Sequence, residues 1–333
     1  MFLMEPRPDD NIGVIQKYKG RDVVSINDFS RKDLEFIMAQ AGGIHAGLVD
    51  VSREMVGKVM IPAFFENSTR TATSFQMAML KMGGAVCDFD ADRSSLNKGE
   101  TLRDTAEMIN GYHPDVIVVR HKKDGSARLV ADVVNAPVIN AGDGKNQHPT
   151  QTFLDLYSIR GLRPKLEIDG VKIALIGDLK YGRTVHSLLK ALMKYECGQI
   201  GFVNPEGLEM PEDLVSMAEK HCPVWQADLN GIEDAIRKYD MIYMTRVQRE
   251  RFPEGPDGEQ QYHKAMANYC LTKEMLDRSN TSRRPVVLHP LPKVGEIAPD
   301  VDGSGHDYYF QQAENGLFVR QALLAMVVGG EID

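Results

Sequence analysis

Between an apolar run and a helical pattern stand Ser68-Thr69-Arg70-Thr71, residues whose side chains can hold an anion. The run Val59–Phe65 reads as a buried strand. Phe75, Ala78, Met79 and Met82 then recur at helical spacing, and the pattern stops at Gly83-Gly84. Ser68 or Thr69 is therefore predicted to cap a helix whose first backbone N–H groups have no partner within it. Those donors, the hydroxyls and the Arg70 guanidinium together make a cradle for an oxyanion such as phosphate. The same residues also fit an ordinary capped helix with a surface arginine.

Other predicted strands end on polar residues that a plain fold does not require. Asp115–Val119 runs into Arg120-His121, and Val171–Ile176 into Gly177-Asp178-Leu179-Lys180-Tyr181-Gly182-Arg183-Thr184. Met241–Met244 leads to Thr245-Arg246-Val247-Gln248, and Val286–Leu288 to His289-Pro290-Leu291-Pro292. One arginine after a strand is usually solvated. Arg70, Arg120, Arg183 and Arg246 together would gather positive charge in a chain whose formal net charge is −8. That pattern implies a ligand with several negative charges, and the planar arginine fork suits paired carboxylate or phosphate oxygens.

The elements that must position these residues alternate along the chain. Predicted strands are Val59–Phe65, Ala85–Phe89, Asp115–Arg120, Pro137–Ala141, Val171–Ile176, Gln199–Val203, Met241–Met244 and Val286–His289, with helical patterns between most of them. This is the signature of parallel sheets covered on both faces, and the strands divide four and four, with a break near Gln147–Asp155. The predicted fold is α/β: two doubly wound parallel-sheet domains, with function concentrated at the carboxyl ends of the strands. Met77, Met79 and Met82 are read as core filling. His113, His121 and His186 are read as structural, and Phe252–Glu259 as a loop.

Bulk properties exclude several classes. At 333 residues, 43% apolar and 26% charged, the chain has an ordinary globular composition with material for two cores. Its acidity, with no Lys/Arg block, argues against a general nucleic-acid binder. Met1-Phe2-Leu3-Met4 meets Glu5-Pro6 at once, so no signal-peptide apolar region is expected, and no run is long enough to span a membrane. Cys87, Cys197, Cys222 and Cys270 are scattered without a C-x-x-C pair, which points to free thiols in a reducing cytoplasm and not to a metal site. Gly177-Asp178 is not a G-x-G-x-x-G fingerprint, so a dinucleotide site is rejected.

With these residues in view, the chain resembles the carbamoyltransferase family over almost its whole length, on the aspartate-specific side. Ser68-Thr69-Arg70-Thr71 is similar to the family's carbamoyl-phosphate signature, and Lys98-Gly99-Glu100-Thr101 to its mobile loop. Arg120-His121, His148-Pro149-Thr150-Gln151, Asp178–Thr184, Thr245–Gln248, His289–Pro292 and Tyr309-Phe310-Gln311-Gln312 follow in the family's order. The resemblance implies transfer of a carbamoyl group from carbamoyl phosphate to the amine of L-aspartate, in pyrimidine biosynthesis, with no metal and no organic cofactor. It implies a carbamoyl-phosphate-binding domain over 1–149 plus the C-terminal helix 309–333, an aspartate-binding domain over 150–308, and an active site in the cleft between them. The final helix, with Val319, Ala322, Leu323 and Met326 at helical spacing, is expected to return to the first domain.

By the same resemblance, Ser68, Thr69, Arg70 and Thr71 hold the phosphate, joined by Ser94 and Lys98 from a neighbouring subunit. Thr71, Arg120 and His148 point at the carbamoyl oxygen. Gln151 and the carbonyls of Leu291 and Pro292 orient the carbamoyl NH2 and the incoming amine. Arg183, Arg246 and Gln248, with Lys98, grip the aspartate carboxylates. A shared site implies a homotrimer, and a dodecamer with separate regulatory chains is left open. Taken alone, His148 could cap a helix, Lys98 could be a solvated loop lysine, and His289–Pro292 could be a rigid turn. The family's signature usually carries an arginine and a glutamate where this chain has Ala72 and Gln76, four residues apart on one helix face. They are read as an ion pair lost as a unit, with no bearing on the phosphate. The rivals are a carbamoyltransferase for ornithine or an acylated ornithine, and a catalytically silent anion-binding relative. The former is disfavoured because no cysteine follows His289 and because Arg246 and Gln248 suit a second carboxylate.

Overall fold

The computed structural model describes residues 18–89, 99–163, 165, 167–249, 252–267, 269–278 and 284–329. The chain divides into two compact units, Met1–Tyr157 with Asn315–Asp333, and Ser158–Glu314. Among the described residues no helix is long and apolar enough to cross a membrane.

The first unit carries α1 (Arg31–His45), β1 (Val59–Phe64), α2 (Thr69–Lys81), β2 (Ala85–Val86), α3 (Leu102–Asn110), β3 (Val116–His121), α4 (Ser126–Ala131) and β4 (Val138–Asp143). It also takes most of α5 (Pro149–Gly161). The strands are parallel, in the order β2-β1-β3-β4. Their residues are apolar on both faces because helices cover both. Ile61, Ala63, Ile117, Val119 and Val138 pack with Ala106 and Ile109 of α3 and Val130 of α4. Pro62 is tolerated in β1 because β2 ends early: its last pair is Met60–Val86, so no β2 residue pairs opposite the position that lacks an N–H. Beyond it only an isolated Ala63–Phe89 bridge remains of the predicted Ala85–Phe89 strand.

The second unit carries β5 (Lys172–Ile176), α6 (Arg183–Leu192), β6 (Gln199–Val203), α7 (Glu212–Glu219), β7 (Val224–Ala227), α8 (Ile232–Lys238), β8 (Met241–Met244), α9 (Pro256–Met266), α10 (Lys273–Asp277) and β9 (Val286–Leu288). Its sheet is parallel, in the order β7-β6-β5-β8-β9. The last helix, α11 (Tyr309–Val328), starts in this unit, and from Asn315 it belongs to the first. Val319 to Val328 are all buried, so this stretch is apolar nearly all round except for Arg320 and Gln321.

Three expectations need correction. The sheets divide four and five, because Val224–Ala227 forms an additional edge strand. Its short, half-exposed sequence, with Gln226 outward, lacks the continuous apolar run that marks a central strand. The segment read as a loop from Phe252 becomes α9 at Pro256, which occupies the first turn with Asp257 and Glu259. Met79 and Met82 are fully buried, but Met77 is 43% exposed, since it lies off the apolar stripe of α2.

Candidate functional site

Both sheets change direction at a defined place. In the first, β2 lies on one side of β1 and β3 on the other, so the chain reverses between β1 and β3. In the second, β6 and β7 lie on one side of β5 and β8 on the other, so the reversal falls between β5 and β8. The carboxyl ends of the two strands at such a point leave a crevice where ligands bind in open α/β sheets. Ser68–Thr71 and Arg120 flank the first of these points, and Asp178–Arg183 and Thr245–Gln248 the second.

At the first point, Phe64 of β1 is in register with Arg120 of β3, and the Phe65 N–H donates to the Arg120 carbonyl (2.7 Å). Ser68 takes the N-cap position of α2, yet its side chain makes no capping hydrogen bond, contrary to the expected cap. Its hydroxyl is therefore not committed to the helix end. Thr69 and Arg70 are exposed and Thr71 is buried in the first turn. Arg120 is largely buried. Its Nη1 donates to the Ala141 carbonyl (3.0 Å), and its Nε lies 3.4 Å from Glu66 Oε2. Neighbouring His121 is structural: its Nδ1 accepts from the Lys123 N–H (2.9 Å) and its ring packs edge-on to Phe65. Burial lowers its pKa, with Lys123 and Lys122 adding to the effect, so it stays neutral beside Arg120.

His148 and Gln151 come from the turn after β4, the neighbour of β3. Buried Asp143 shapes that turn, accepting from the N–H groups of Gly125 (2.8 Å) and Gln147 (3.2 Å) and from the side chains of Asn140 (2.9 Å) and Asn146 (3.0 Å). Gln147 is fixed in turn by the Ile26 N–H and the Ser25 hydroxyl. His148 is buried, and its Nδ1 lies 3.3 Å from Thr150 Oγ1. Its carbonyl accepts from Gln151 and Thr152, so it does stand at the start of α5. Gln151 Nε2 donates to Asp155 Oδ1 (2.8 Å). Ser94 and Lys98 lie outside the described residues. Later in the chain, Thr101 and Asp104 form a capping box for α3, and Thr105 donates to Glu100.

At the second point, Tyr269 ties the two strand ends together, its hydroxyl donating to the carbonyls of Ile176 (3.0 Å) and Thr245. Gly177 has φ +119°, and a Cβ there would lie 2.1 Å from the Tyr269 oxygen and 2.5 Å from the Thr245 carbonyl. Only glycine allows β5 and β8 to end so close. Buried Asp178 then accepts from the Tyr181 N–H (2.9 Å) and, at 3.5 Å, from Gln248 Nε2, which also donates to the Tyr181 carbonyl (3.3 Å). Arg183 opens α6, and Arg246 follows β8 half-buried. The structure thus joins Gln248 to the segment that leads to Arg183.

After β9, the Leu291–Pro292 peptide is cis and Leu291 has φ +56°. The Leu291 N–H donates to His289 Nδ1 (2.8 Å), whose Nε2 meets Glu296 Oε1 (2.7 Å). An N–H donated to Nδ1 places the ring proton on Nε2, so His289 donates to the carboxylate. Glu296 Oε2 accepts the Val294 N–H (2.9 Å), and the His289 N–H donates to Gln312 Oε1 (2.8 Å). Burial would raise the Glu296 pKa, but the His289 contact and the backbone donors outweigh it and hold the carboxyl below its usual value.

Sequence reasoning missed the supporting carboxylates Glu66, Asp155 and Glu296. Asp155 had a signal, being four residues after Gln151 on one helix.

What these features define is a two-unit α/β protein with arginines at a sheet reversal in each unit. Residues 21–161 match the family model for the aspartate/ornithine carbamoyltransferase carbamoyl-P binding domain, and residues 169–327 the model for the Asp/Orn binding domain. The chain belongs to the aspartate/ornithine carbamoyltransferase family. It is 46% identical to an aspartate carbamoyltransferase catalytic subunit from Thermococcus kodakarensis, across 94% of this chain and 98% of that protein. It is 41% identical to the one from Methanobrevibacter smithii, across 95% and 97%. The aspartate transcarbamoylase of Trypanosoma cruzi in complex with aspartate and phosphate superposes with a TM-score of 0.86 at 34% identity, over 95% of this chain and 99% of that one. The same enzyme's complex with N-(phosphonacetyl)-L-aspartic acid gives 0.84 at 35% identity, over 94% and 97%.

Proposed function

We propose that the chain transfers the carbamoyl group of carbamoyl phosphate to the amine of L-aspartate, giving N-carbamoyl-L-aspartate and phosphate, as a step of pyrimidine biosynthesis. The observation that carries the reading is the distribution of cations over two sheet reversals: Arg70 and Arg120 at one, Arg183 and Arg246 at the other. A phosphate bears about two negative charges and aspartate two carboxylates, and the cations suit both.

In this reading Ser68, Thr69, Arg70 and Thr71 hold the phosphate, with Ser94 and Lys98 supplied by a neighbouring copy. The neutral amine attacks the carbamoyl carbon, and negative charge grows on its oxygen, which Thr71, Arg120 and His148 stabilise. The bond from carbon to the phosphate oxygen breaks, phosphate leaves with the electron pair, and it takes the amine proton. Gln151 and the carbonyls of Leu291 and Pro292 orient the nitrogen atoms. Arg183, Arg246 and Gln248, with Lys98, hold the aspartate. Positioning two bound reactants contributes roughly 7–11 kcal/mol, so no separate base, metal or cofactor is invoked.

Incubation with carbamoyl phosphate and either aspartate or ornithine tests the assignment: carbamoyl aspartate must form and citrulline must not. Citrulline alone would establish the ornithine rival, and no product from either amine the silent one. A shared site makes the working unit a cytoplasmic homotrimer, with regulatory chains able to join trimers into a dodecamer. A fully active monomer in sedimentation would refute that part.

A further inference from the structure

Arg320 of α11 is a buried charge, 4% exposed within an apolar helix. Its Nη1 donates to Ser74 Oγ (2.9 Å), and its guanidinium carbon lies 5.1 Å from the centre of the Phe75 ring. Both partners sit on α2, the helix that opens with Thr69-Arg70-Thr71. The room for the guanidinium is provided one turn earlier on α11. A Cβ at Gly316 would lie 2.2 Å from Arg320 Nη1 and 3.2 Å from Leu154 Cδ2 on α5. Burial draws the Arg320 pKa down to about 10, and the charge of Asp155 on α5 pulls it back up. Arg320 therefore remains a cation at neutral pH, and Asp155, whose charge it feels, is itself 0% exposed.

Asp155 Oδ1 accepts the Nε2–H of Gln151 at 2.8 Å. An ionised carboxylate accepts and never donates, so it dictates which end of the Gln151 amide faces it. With Nε2 turned to Asp155, the amide oxygen is the end left to accept a hydrogen bond, and the carbamoyl group presents an NH2 donor. A neutral carboxyl or an asparagine could accept or donate, and the amide could then turn over. Keeping a buried carboxylate ionised requires a nearby cation, which Arg320 supplies.

We propose that Asp155 and Arg320 are positioning residues for carbamoyl transfer: Asp155 sets the Gln151 amide to receive the carbamoyl NH2, and Arg320 supplies a cation near Asp155 while bracing α2. This rests on the carbamoyl-transfer reading and adds two residues that touch neither substrate. It also gives Gly316 a reason, since any side chain there would displace the guanidinium.

The test separates amide orientation from simple support of the fold, using the full-length enzyme. Asp155→Asn should lower kcat about 10- to 100-fold, the scale of one misdirected buried hydrogen bond. It should leave the inhibition constant of inorganic phosphate within about twofold, because phosphate has no NH2 for Gln151 to receive. Asp155→Asn also strands the Arg320 charge. The double variant Asp155→Asn/Arg320→Met should therefore raise the thermal midpoint above that of the single variant while kcat stays low. Gly316→Ala, which keeps every charge and favours the helix, should lower kcat in the same direction by a smaller factor. Wild-type kcat in Asp155→Asn or in Gly316→Ala overturns the proposal, as does a phosphate inhibition constant that rises in step with the loss of kcat. If the wild type itself makes no carbamoyl aspartate, the functional reading fails instead; if it does and these variants match it, only the positioning role fails.

Discussion

Replacing Glu296 by alanine should damage both stability and turnover, by amounts that follow from its partners. The carboxylate is fully buried and accepts from His289 Nε2 (2.7 Å) and from the Val294 N–H (2.9 Å). Removing it leaves the His289 Nε2–H and the Val294 N–H as buried donors without their acceptor, at about 1–3 kcal/mol each, so the denaturant midpoint of the second unit should fall accordingly. Glu296→Gln keeps the volume and one acceptor, and should cost about 1–3 kcal/mol through the donor left over. The kinetic effect comes through His289, which holds the Leu291 N–H while Leu291 sits at φ +56°. That left-handed backbone costs roughly 1–2 kcal/mol in a residue with a Cβ. Once the His289 ring is released, the population of the turn should drop about 5- to 30-fold at 1.4 kcal/mol per tenfold, and kcat with it. Inorganic phosphate, assigned to residues of the other unit, should bind with unchanged affinity. The sign of the pH dependence is also fixed. Because the folded pKa of Glu296 lies below about 4.5, its stabilisation is present above that pH and is lost as pH falls through the folded value. The wild type should therefore lose stability below about pH 4.5 more steeply than Glu296→Gln. Unchanged kcat in Glu296→Ala would refute the role of the turn, and an unchanged midpoint would refute the buried hydrogen-bond argument.

Other outcomes are equally specific. His148→Ala should lower kcat by about 100-fold or more with an unchanged circular-dichroism spectrum; near-normal turnover removes His148 from oxyanion stabilisation. Arg246→Gln should raise the aspartate KM about 10- to 100-fold, since a charge-assisted hydrogen bond contributes about 1.5–3 kcal/mol, and should leave the carbamoyl phosphate KM alone. An equal rise in both would show that the two sheet reversals do not divide the substrates. Gly177→Ala should destabilise by about 1–3 kcal/mol through overpacking, measured by thermal denaturation; full stability would contradict the close approach to Tyr269 and Thr245. In a double-mutant cycle, Ala72→Arg with Gln76→Glu should show a coupling of about 0.2–0.5 kcal/mol, and zero coupling would dismiss the lost pair.

Much of the sheet architecture was legible because parallel strands covered on both faces must be apolar throughout, as in Val116–Val119 and Ile173–Ile176. Ser68–Thr71 was legible because a strand, a polar break and a helical period follow one another within one stretch. Val224–Ala227 was not, since an edge strand needs only half an apolar pattern. Pro256 was misread because Pro and Gly punctuate loops, although a proline followed by acidic residues is also how a helix begins. The supporting carboxylates were hidden for a different reason. Asp155 acquires its meaning from Arg320, and Glu66 from Arg120, through pairings that topology creates and no local pattern carries.

The course of α11 has a consequence for how the protein is made. The first unit is discontinuous: it includes the part of α11 from Asn315 on, which leaves the ribosome after the whole of the second unit. Until then the surfaces awaiting Val319, Leu323, Leu324 and Met326 are uncovered, whereas the second unit is one uninterrupted segment and is complete sooner. Nascent chains should thus mature in reverse order of synthesis, with the phosphate-signature unit closing only after the second unit has been made. A stop codon shortly before Asn315 should yield a product that aggregates, while the segment 158–314 survives limited proteolysis.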